Sequence, residues 1–507
     1  MRKSGKVYLV GAGPGDPGLM TVRGQELLRQ ADVVAYDHLV SPAIVAGCGP
    51  DAELIYVGKE PARHTAPQSS INRLLVRSAK AGKIVVRLKG GDPYLFGRGA
   101  EEALELVKAG VPFEIVPGVT SALAVPAYAG IPATFRESAS SVAIITGHED
   151  PAKPGSAIRW KELATACDTL ICLMGVGTLP DTAARLIKHG RPARTPAALI
   201  EWGTLPRQRT VIATLGTIAA RARKASIRPP SVLIVGDVVS LRKKLNWFET
   251  RPLFAKRILV TRAADKAGAF ARQLEALGAE VEQLPAIELT PVKPNGVFRD
   301  AVRELPETDW VFFTSPEGLG WFSKLLKPYG KDLRSLSGCR IGAIGPKTAM
   351  AIEASGLHVD FVPKQFSQEG MLESLPKQML NGKRALILSA ANSRDVLETG
   401  LRRKGARVHK LSIYRTVVPK TMADRAKQMA DRKFDYVTVT SASCVDHLAD
   451  AFDAAGSRRA FRALPFASIG PVTSQVVRER GGRVAVEAKV STVEGLIDKL
   501  VQDARRG

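Results

Sequence analysis

The chain has few cysteines and few aromatic residues, and it lacks long apolar runs. Its five cysteines, Cys48, Cys167, Cys172, Cys339 and Cys444, are scattered over 507 residues with no CxxC pair. That spacing suits neither a disulfide framework nor a structural zinc site, and it fits a reducing compartment. Aromatics make up 6% of the residues, with no basic-aromatic platform of the kind that stacks on bases. No apolar stretch approaches the roughly 20 residues that a membrane span needs, and the opening MRKSGKVYLVGAG is too short an apolar run for a signal peptide. Acidic side chains are also short, 49 against 73 Lys and Arg. The expectation is a soluble cytoplasmic protein with no metal, no membrane partner and no disulfides.

What is present is ordinary globular material, 45% hydrophobic and 24% charged. At roughly 100–200 residues per domain, the length leaves room for about three to five domains. The net charge of +24 is divided between the halves, +11 over residues 1–250 and +13 over residues 251–507. A field of that sign attracts any polyanion, nucleic acid or small molecule alike. The even spread and the missing aromatic platform speak against nucleic acid.

Apolar runs bounded by turn signals recur at KVYLVGAG, ADVVAYD, KIVVRLKGGDP, SVAIITGH, DTLICLMG and PSVLIVGDVV, with helical stretches between several of them. This alternation reads as α/β, with parallel or mixed sheets covered by helices. Ligands in such folds lie at the carboxyl ends of the strands, where GAGPGDP, GGDP and LMG fall. After Val239 the charged stretch LRKKLNWFETRPLFAKR reads as a connection, with the linker placed at 249–256.

The second half is an internal repeat. RILVTR at 257 is answered by RALILSA at 384, Gly278 by Gly405, Thr314 by Thr440, and Gly345 by Gly470. Landmarks in one order at nearly constant spacing make two copies of one α/β unit, expected to enclose a cleft.

Two constellations carry chemistry. Gly13, Gly15 and Gly18 formally spell GxGxxG, with Asp37 at a second strand end, the arithmetic of a dinucleotide fingerprint. Pro14 and Pro17 lie inside it, and Pro14 removes an N–H that could face pyrophosphate. In the second half, Thr314–Ser315, Thr440–Ser441, Thr348 and Thr473 stand at strand-to-helix turns, suited either to hold anions or simply to cap helices.

GAGPGDPGLMT, VVAYDHLVSP, YVGKEPARH, RLKGGDPYLFGRGAEE, VPGVTSA, LMGVGTLPD, EWGT with RQRT, and PSVLIVGDVVSLRKKLNWF follow one another over about residues 6–248. Together they resemble the uroporphyrinogen-III C-methyltransferase family of the tetrapyrrole methylase fold. The resemblance implies S-adenosylmethionine as methyl donor and uroporphyrinogen III as acceptor, methylated at C2 and C7 to precorrin-2. It places the donor against Pro14, Gly90, Gly91, Asp92, Leu95, Thr120, Ser121, Met174 and Gly203. Asp92 faces the sulfonium or the amino-acid portion, or is a helix N-cap. The resemblance makes Asp37 the general base and Lys59 the general acid. Arg98, with Arg63, His64 and Arg136, is a candidate for the substrate's carboxylates, since guanidinium pairs with them bidentately.

RILVTR, FTSPEG, IGPKT, FVP, SIYRT, TSAS and SIGPVT, over about residues 256–505, resemble uroporphyrinogen-III synthase. That resemblance implies closure of hydroxymethylbilane with inversion of ring D, without a cofactor. Tyr414 would donate to the departing hydroxyl, or is a strand-end core residue. Thr348 and Thr473, with Ser315 and Ser441 beside them, would hold the substrate's acidic arms.

The expected architecture is therefore a methylase half of two α/β subdomains over 1–248 and a two-lobed duplicated half over 257–507. The lobes are 257–290 with 417–507, and 291–416. The methylase resemblance also suggests a homodimer through the first half. The rivals are an NAD-dependent dehydrogenase, a second half that only binds tetrapyrrole, and a catalytically inert binding module.

Overall fold

The computed structural model describes residues 5–58, 67–149 and 156–506. They form four five-stranded sheets. The first is parallel throughout, in the order Glu53–Tyr56, Val33–Tyr36, Ile84–Lys89, Lys6–Gly11, Phe113–Val116. Its central strands are nearly continuous apolar runs, as strands covered on both faces must be. Val7, Leu9, Val33, Ala35 and Val85 pack on one face, and Val10, Val34, Val86 and Leu88 on the other.

The second sheet is mixed, in the order Val142–Thr146, Thr169–Leu173, Ser231–Val235, Pro196–Glu201, Arg209–Thr214. Its first pair is parallel and the other three are antiparallel. The helix Ser121–Tyr128 lies on this sheet, with Ala122 and Val125 buried against Ile171, Leu173 and Ile200.

The repeat half contains the other two sheets. One orders Glu280–Gln283, Arg257–Val260, Tyr436–Val439, Pro465–Ser468 and Arg483–Glu487. The other orders Glu288–Pro291, Arg407–Val417, Arg384–Ala390, Trp310–Phe313 and Arg340–Ala343. The duplicated landmarks keep the same neighbours in both. RILV lies beside DYV and then FAS in one sheet, and RALIL beside DWV and then RIGA in the other. Each sheet thus takes its strands from both copies of the repeat. The chain crosses from the sheet of Arg257–Val260 to the sheet of Trp310–Phe313 between Gln283 and Glu288, and returns after Val417.

By spatial proximity the chain forms two compact units, Met1–Arg257 with Gln273–Glu280 and Val501–Gly507, and Ile258–Arg272 with Val281–Leu500. The stretch Gln273–Glu280 joins the first unit because residues 249–256 are packed rather than loose. Leu253 is fully buried and its N–H donates to the Leu277 carbonyl at 2.9 Å. Gly278, at φ 98°, lets Phe254 approach so closely that a Cβ there would lie 3.1 Å from its Cα.

Candidate active sites

In the first unit, four loops at strand ends are tied together, three by main-chain contacts and the fourth through side chains. Gly13 and Gly91 exchange both backbone hydrogen bonds, at 3.2 and 2.7 Å, and so join the Gly-rich turn to GGDP. A Cβ on Gly118 would lie 2.3 Å from the Gly91 carbonyl oxygen and 2.7 Å from the Gly11 Cα, so three backbones touch where side chains cannot stand. The Asp16 N–H donates to Thr204 Oγ1 at 3.2 Å, and Gly203 rests on Val125 so tightly that a Cβ would come within 2.3 Å of it.

The expected donor positions gather around this convergence. Pro14, Gly90, Gly91, Leu95, Thr120 and Ser121 are half-buried. Thr120 caps the helix Ser121–Tyr128 and accepts from the Ala122 N–H at 3.3 Å. Met174 follows Leu173, which packs on that helix, and is 51% exposed. Asp92 behaves as a turn carboxylate: Oδ1 accepts from the Tyr94 and Leu95 N–H groups at 2.8 and 3.1 Å, and Oδ2 from the Gly118 N–H at 3.0 Å. It therefore clamps two loops.

Backbone strain concentrates in the same place. Phe96, Arg98, Met174, Trp202 and Thr204 all hold left-handed φ values between 48° and 69°. Such positions cost about 1–3 kcal/mol each for residues with a Cβ and persist only where the surroundings enforce them.

Asp37 follows the strand Val33–Tyr36, with 21% of its side chain exposed. Its Oδ1 accepts from the Leu39 N–H at 3.1 Å, and its Oδ2 lies 3.6 Å from Arg87 Nη2. Behind it is a buried charge cluster that sequence reasoning missed. Glu102 Oε1 accepts from Arg87 Nε, Lys89 Nζ and Gln68 Nε2 at 3.2, 3.0 and 3.1 Å, and Glu102 is 1% exposed. Burial, and then the neighbouring Arg87 charge, hold the Lys89 pKa below the ordinary lysine value. Removing one partner of such a buried set costs about 3–5 kcal/mol. The available signal was IVVRLK, with two cations at alternate positions of an otherwise apolar strand and hence on one face.

Lys59, Arg63 and His64 lie outside the described residues. The exposed guanidinium of Arg98 pairs with Glu101 at 2.6 Å. Arg136 is exposed.

The second unit builds its candidate sites from side chains. Ser315 and Ser441 occupy equivalent turns with nearly identical backbones, φ −161° and −162°, and each caps a helix through Gly318 N–H and Cys444 N–H. Ser315 does more: its Oγ lies 2.9 Å from the Tyr414 hydroxyl. Tyr414 is 7% exposed, and burial raises its phenol pKa above 10. Thr348 and Thr473 each stand third in the helices Pro346–Glu353 and Pro471–Glu479, buried to 2% and 5% exposure. No hydrogen bond joins these threonines to Tyr414 among the described residues.

Comparison with known proteins resolves the class. The family of tetrapyrrole (corrin/porphyrin) methylases matches residues 6–219, and that of uroporphyrinogen-III synthase HemD matches residues 268–498. A porphyrin biosynthesis protein HemD of Ruminiclostridium josui is 39% identical over 501 residues, 98% of each chain. A uroporphyrinogen-III C-methyltransferase of Bacillus subtilis is 38% identical over 357 residues, 70% of this chain and 73% of the other. The siroheme synthase of Azotobacter vinelandii is 55% identical over 248 residues, 49% of this chain and 53% of that one. The chain therefore spans about half the length of that synthase.

Fold and loops together define a two-part enzyme of tetrapyrrole biosynthesis. More particularly, the chain belongs to the porphyrin-biosynthesis HemD family, in which a tetrapyrrole methylase precedes a uroporphyrinogen-III synthase.

Proposed function

We propose that the two halves perform consecutive steps on one macrocycle. The second half closes hydroxymethylbilane to uroporphyrinogen III with inversion of ring D and without a cofactor. The first half then methylates that product at C2 and C7 with S-adenosylmethionine, giving precorrin-2.

One observation carries the choice of donor. The N–H groups of Gly13, Asp16, Gly18, Gly91 and Gly118 are all committed within the protein, and Pro14 has none. A pyrophosphate would find few donors in this Gly-rich turn, which weighs against a dinucleotide and supports a ligand without phosphate. Pro14, Gly90, Gly91, Leu95, Thr120, Ser121, Met174 and Gly203 are the proposed contacts, with Asp92 holding the loops from behind. When bound, the donor supplies a methyl group made electrophilic by its sulfonium. Asp37 then accepts the proton that the macrocycle must lose once the new C–C bond has formed, a role usually worth about 10²–10⁴-fold. Lys59 is proposed as the general acid from the family resemblance.

In the synthase half, Tyr414 donates a proton to the departing hydroxyl, the C–O bond breaks and water leaves. Ring D attacks the resulting cation through the α-carbon that already carries its bridge, giving a spiro intermediate; that bridge bond then breaks and re-forms at the free α-carbon of ring D, and the proton displaced there restores the Tyr414 phenol. The raised phenol pKa keeps Tyr414 protonated at neutral pH, and Ser315 fixes its hydroxyl. Thr348 and Thr473, with Ser315 and Ser441 beside them, are proposed to hold the carboxylate arms of the bilane, and Arg98 those of uroporphyrinogen III in the first half. Both substrates are octa-acids, which gives the positive charge of each half one cause. No helix of the described residues is long and apolar enough to cross a membrane. A homodimer through the first half is proposed, to be tested by light scattering.

Two assays test the assignment. Hydroxymethylbilane alone should yield the type III isomer, and a product that is all type I rejects the synthase step. S-adenosylhomocysteine should raise the first half's thermal midpoint, whereas protection by NADH alone would restore the dehydrogenase.

A further inference from the structure

The loops assigned to the donor are held from a place that the motifs do not reach. Two side-chain paths run to Asp16 from residues 246–254, beyond the last strand of the second sheet. The first passes through Tyr128, the final residue of the helix whose opening residues are Thr120 and Ser121. The Tyr128 hydroxyl donates to Asp16 Oδ2 at 2.7 Å, and Trp247 and Phe248 meet its ring edge-on, with centroids 5.0 and 4.9 Å away. Burial, and next the bond to Asp16, raise the phenol pKa, so the hydroxyl stays a donor at neutral pH.

The second path starts at Glu249. Its Oε1 accepts from Gln208 Nε2 at 2.8 Å and from Thr210 Oγ1 at 2.6 Å, while Oε2 pairs with Arg242 at 2.5 Å. Gln208 Oε1 accepts from the Thr204 N–H at 2.9 Å, and Thr204 Oγ1 accepts from the Asp16 N–H at 3.2 Å. Thr204 and Gln208 are 2% and 3% exposed. Buried polar groups in such a chain depend on one another, because an unpaired member bears its full desolvation cost. The two paths grip one residue from opposite ends, the side chain of Asp16 and its backbone N–H.

We propose that Tyr128 and Glu249 are positioning residues for the methyl donor: they lock the turn carrying Pro14 against the loop carrying Gly203. The inference rests on the reading of those loops as the donor site. Val125, between Thr120 and Tyr128 on one helix, lies directly under Gly203, so a single rigid element serves both contacts. The segment that reads as a linker is therefore part of the donor site's support.

The test uses the full chain and the variants Tyr128→Phe, Glu249→Ala and Glu249→Gln. Calorimetry reads the Kd for S-adenosylhomocysteine. Steady-state kinetics give the KM values of donor and acceptor, and the synthase rate of the same protein is the internal control. Tyr128→Phe and Glu249→Ala should each weaken S-adenosylhomocysteine binding about tenfold and raise the donor KM similarly, the loss expected for one hydrogen bond to a charged group. The acceptor KM and synthase rate should not move, and Glu249→Gln, which keeps an acceptor oxygen, should recover most of the affinity. Combining the first two changes should cost less than the product of their separate effects, since both act on Asp16. Unchanged affinity in Tyr128→Phe and Glu249→Ala overturns the proposal, as does a loss shared equally by acceptor KM and synthase rate. If Tyr128→Phe does not fold, the two Glu249 variants decide alone. Wild-type protein that binds no S-adenosylhomocysteine overturns the donor site itself, a distinct result.

Discussion

The two halves build their sites from different materials. In the methylase half the site is backbone: glycines pressed against one another, a proline within the turn, and five side-chain-bearing residues held at left-handed φ. In the synthase half no described residue after Arg257 other than glycine adopts positive φ, and the candidates are hydroxyls on relaxed helix starts. A backbone-built site dictates its sequence, because few residues survive a 2.3 Å Cβ approach or a positive φ. A hydroxyl at a helix start can be Ser, Thr, Asp or Asn, and it caps the helix whether or not it touches substrate.

The sharpest way to break this contrast is to add one Cβ. Gly118→Ala should force Gly91 and Gly11 apart and cut methyl transfer at least about a hundredfold by the cost of a misplaced site, with uroporphyrinogen III still formed. Asp37→Asn should lower the methylation rate about 10²–10⁴-fold while S-adenosylhomocysteine still binds, read by single-turnover kinetics. Tyr414→Phe should slow bilane closure about a hundredfold, the lower end for a placed proton donor, and leave methylation of supplied uroporphyrinogen III intact. With the tyrosine present, closure should keep its rate further into the alkaline range than an ordinary phenol would allow, because burial raises the Tyr414 pKa. The smallest effect separates the twin serines. Ser315→Ala and Ser441→Ala should each cost about 1 kcal/mol in chemical denaturation as lost caps, but only Ser315→Ala, which frees the Tyr414 hydroxyl, should lower the maximal rate of closure, while Ser441→Ala should act on the KM for the bilane.

That difference in material explains what could be read from the letters. KVYLVG, VVAY, IVVRLK, VAIIT, TLICL and SVLIV all become strands, because buried strands demand apolar runs with turn residues at their ends. The repeat was legible for the same reason, whereas its exchange of strands came only from the family resemblance, since pairing between distant segments leaves no local mark. The Gly-rich convergence was legible because strain selects residue types. The Arg87–Lys89–Glu102 cluster and the Tyr128–Asp16–Thr204–Gln208–Glu249 support were not. The first set spans 15 residues and the second 233, and beyond the two cations of IVVRLK no local pattern ties their members together. Asp92 was open in the letters between a ligand contact and a helix cap, and the structure adds its turn: three backbone amides donate to its carboxylate.

The most direct test gives the intact chain hydroxymethylbilane together with methyl-labelled S-adenosylmethionine and weighs what leaves. A single tetrapyrrole of the type III series bearing two labelled methyl groups is the predicted result. An unlabelled type I ring as the sole product would contradict both halves of the account at once.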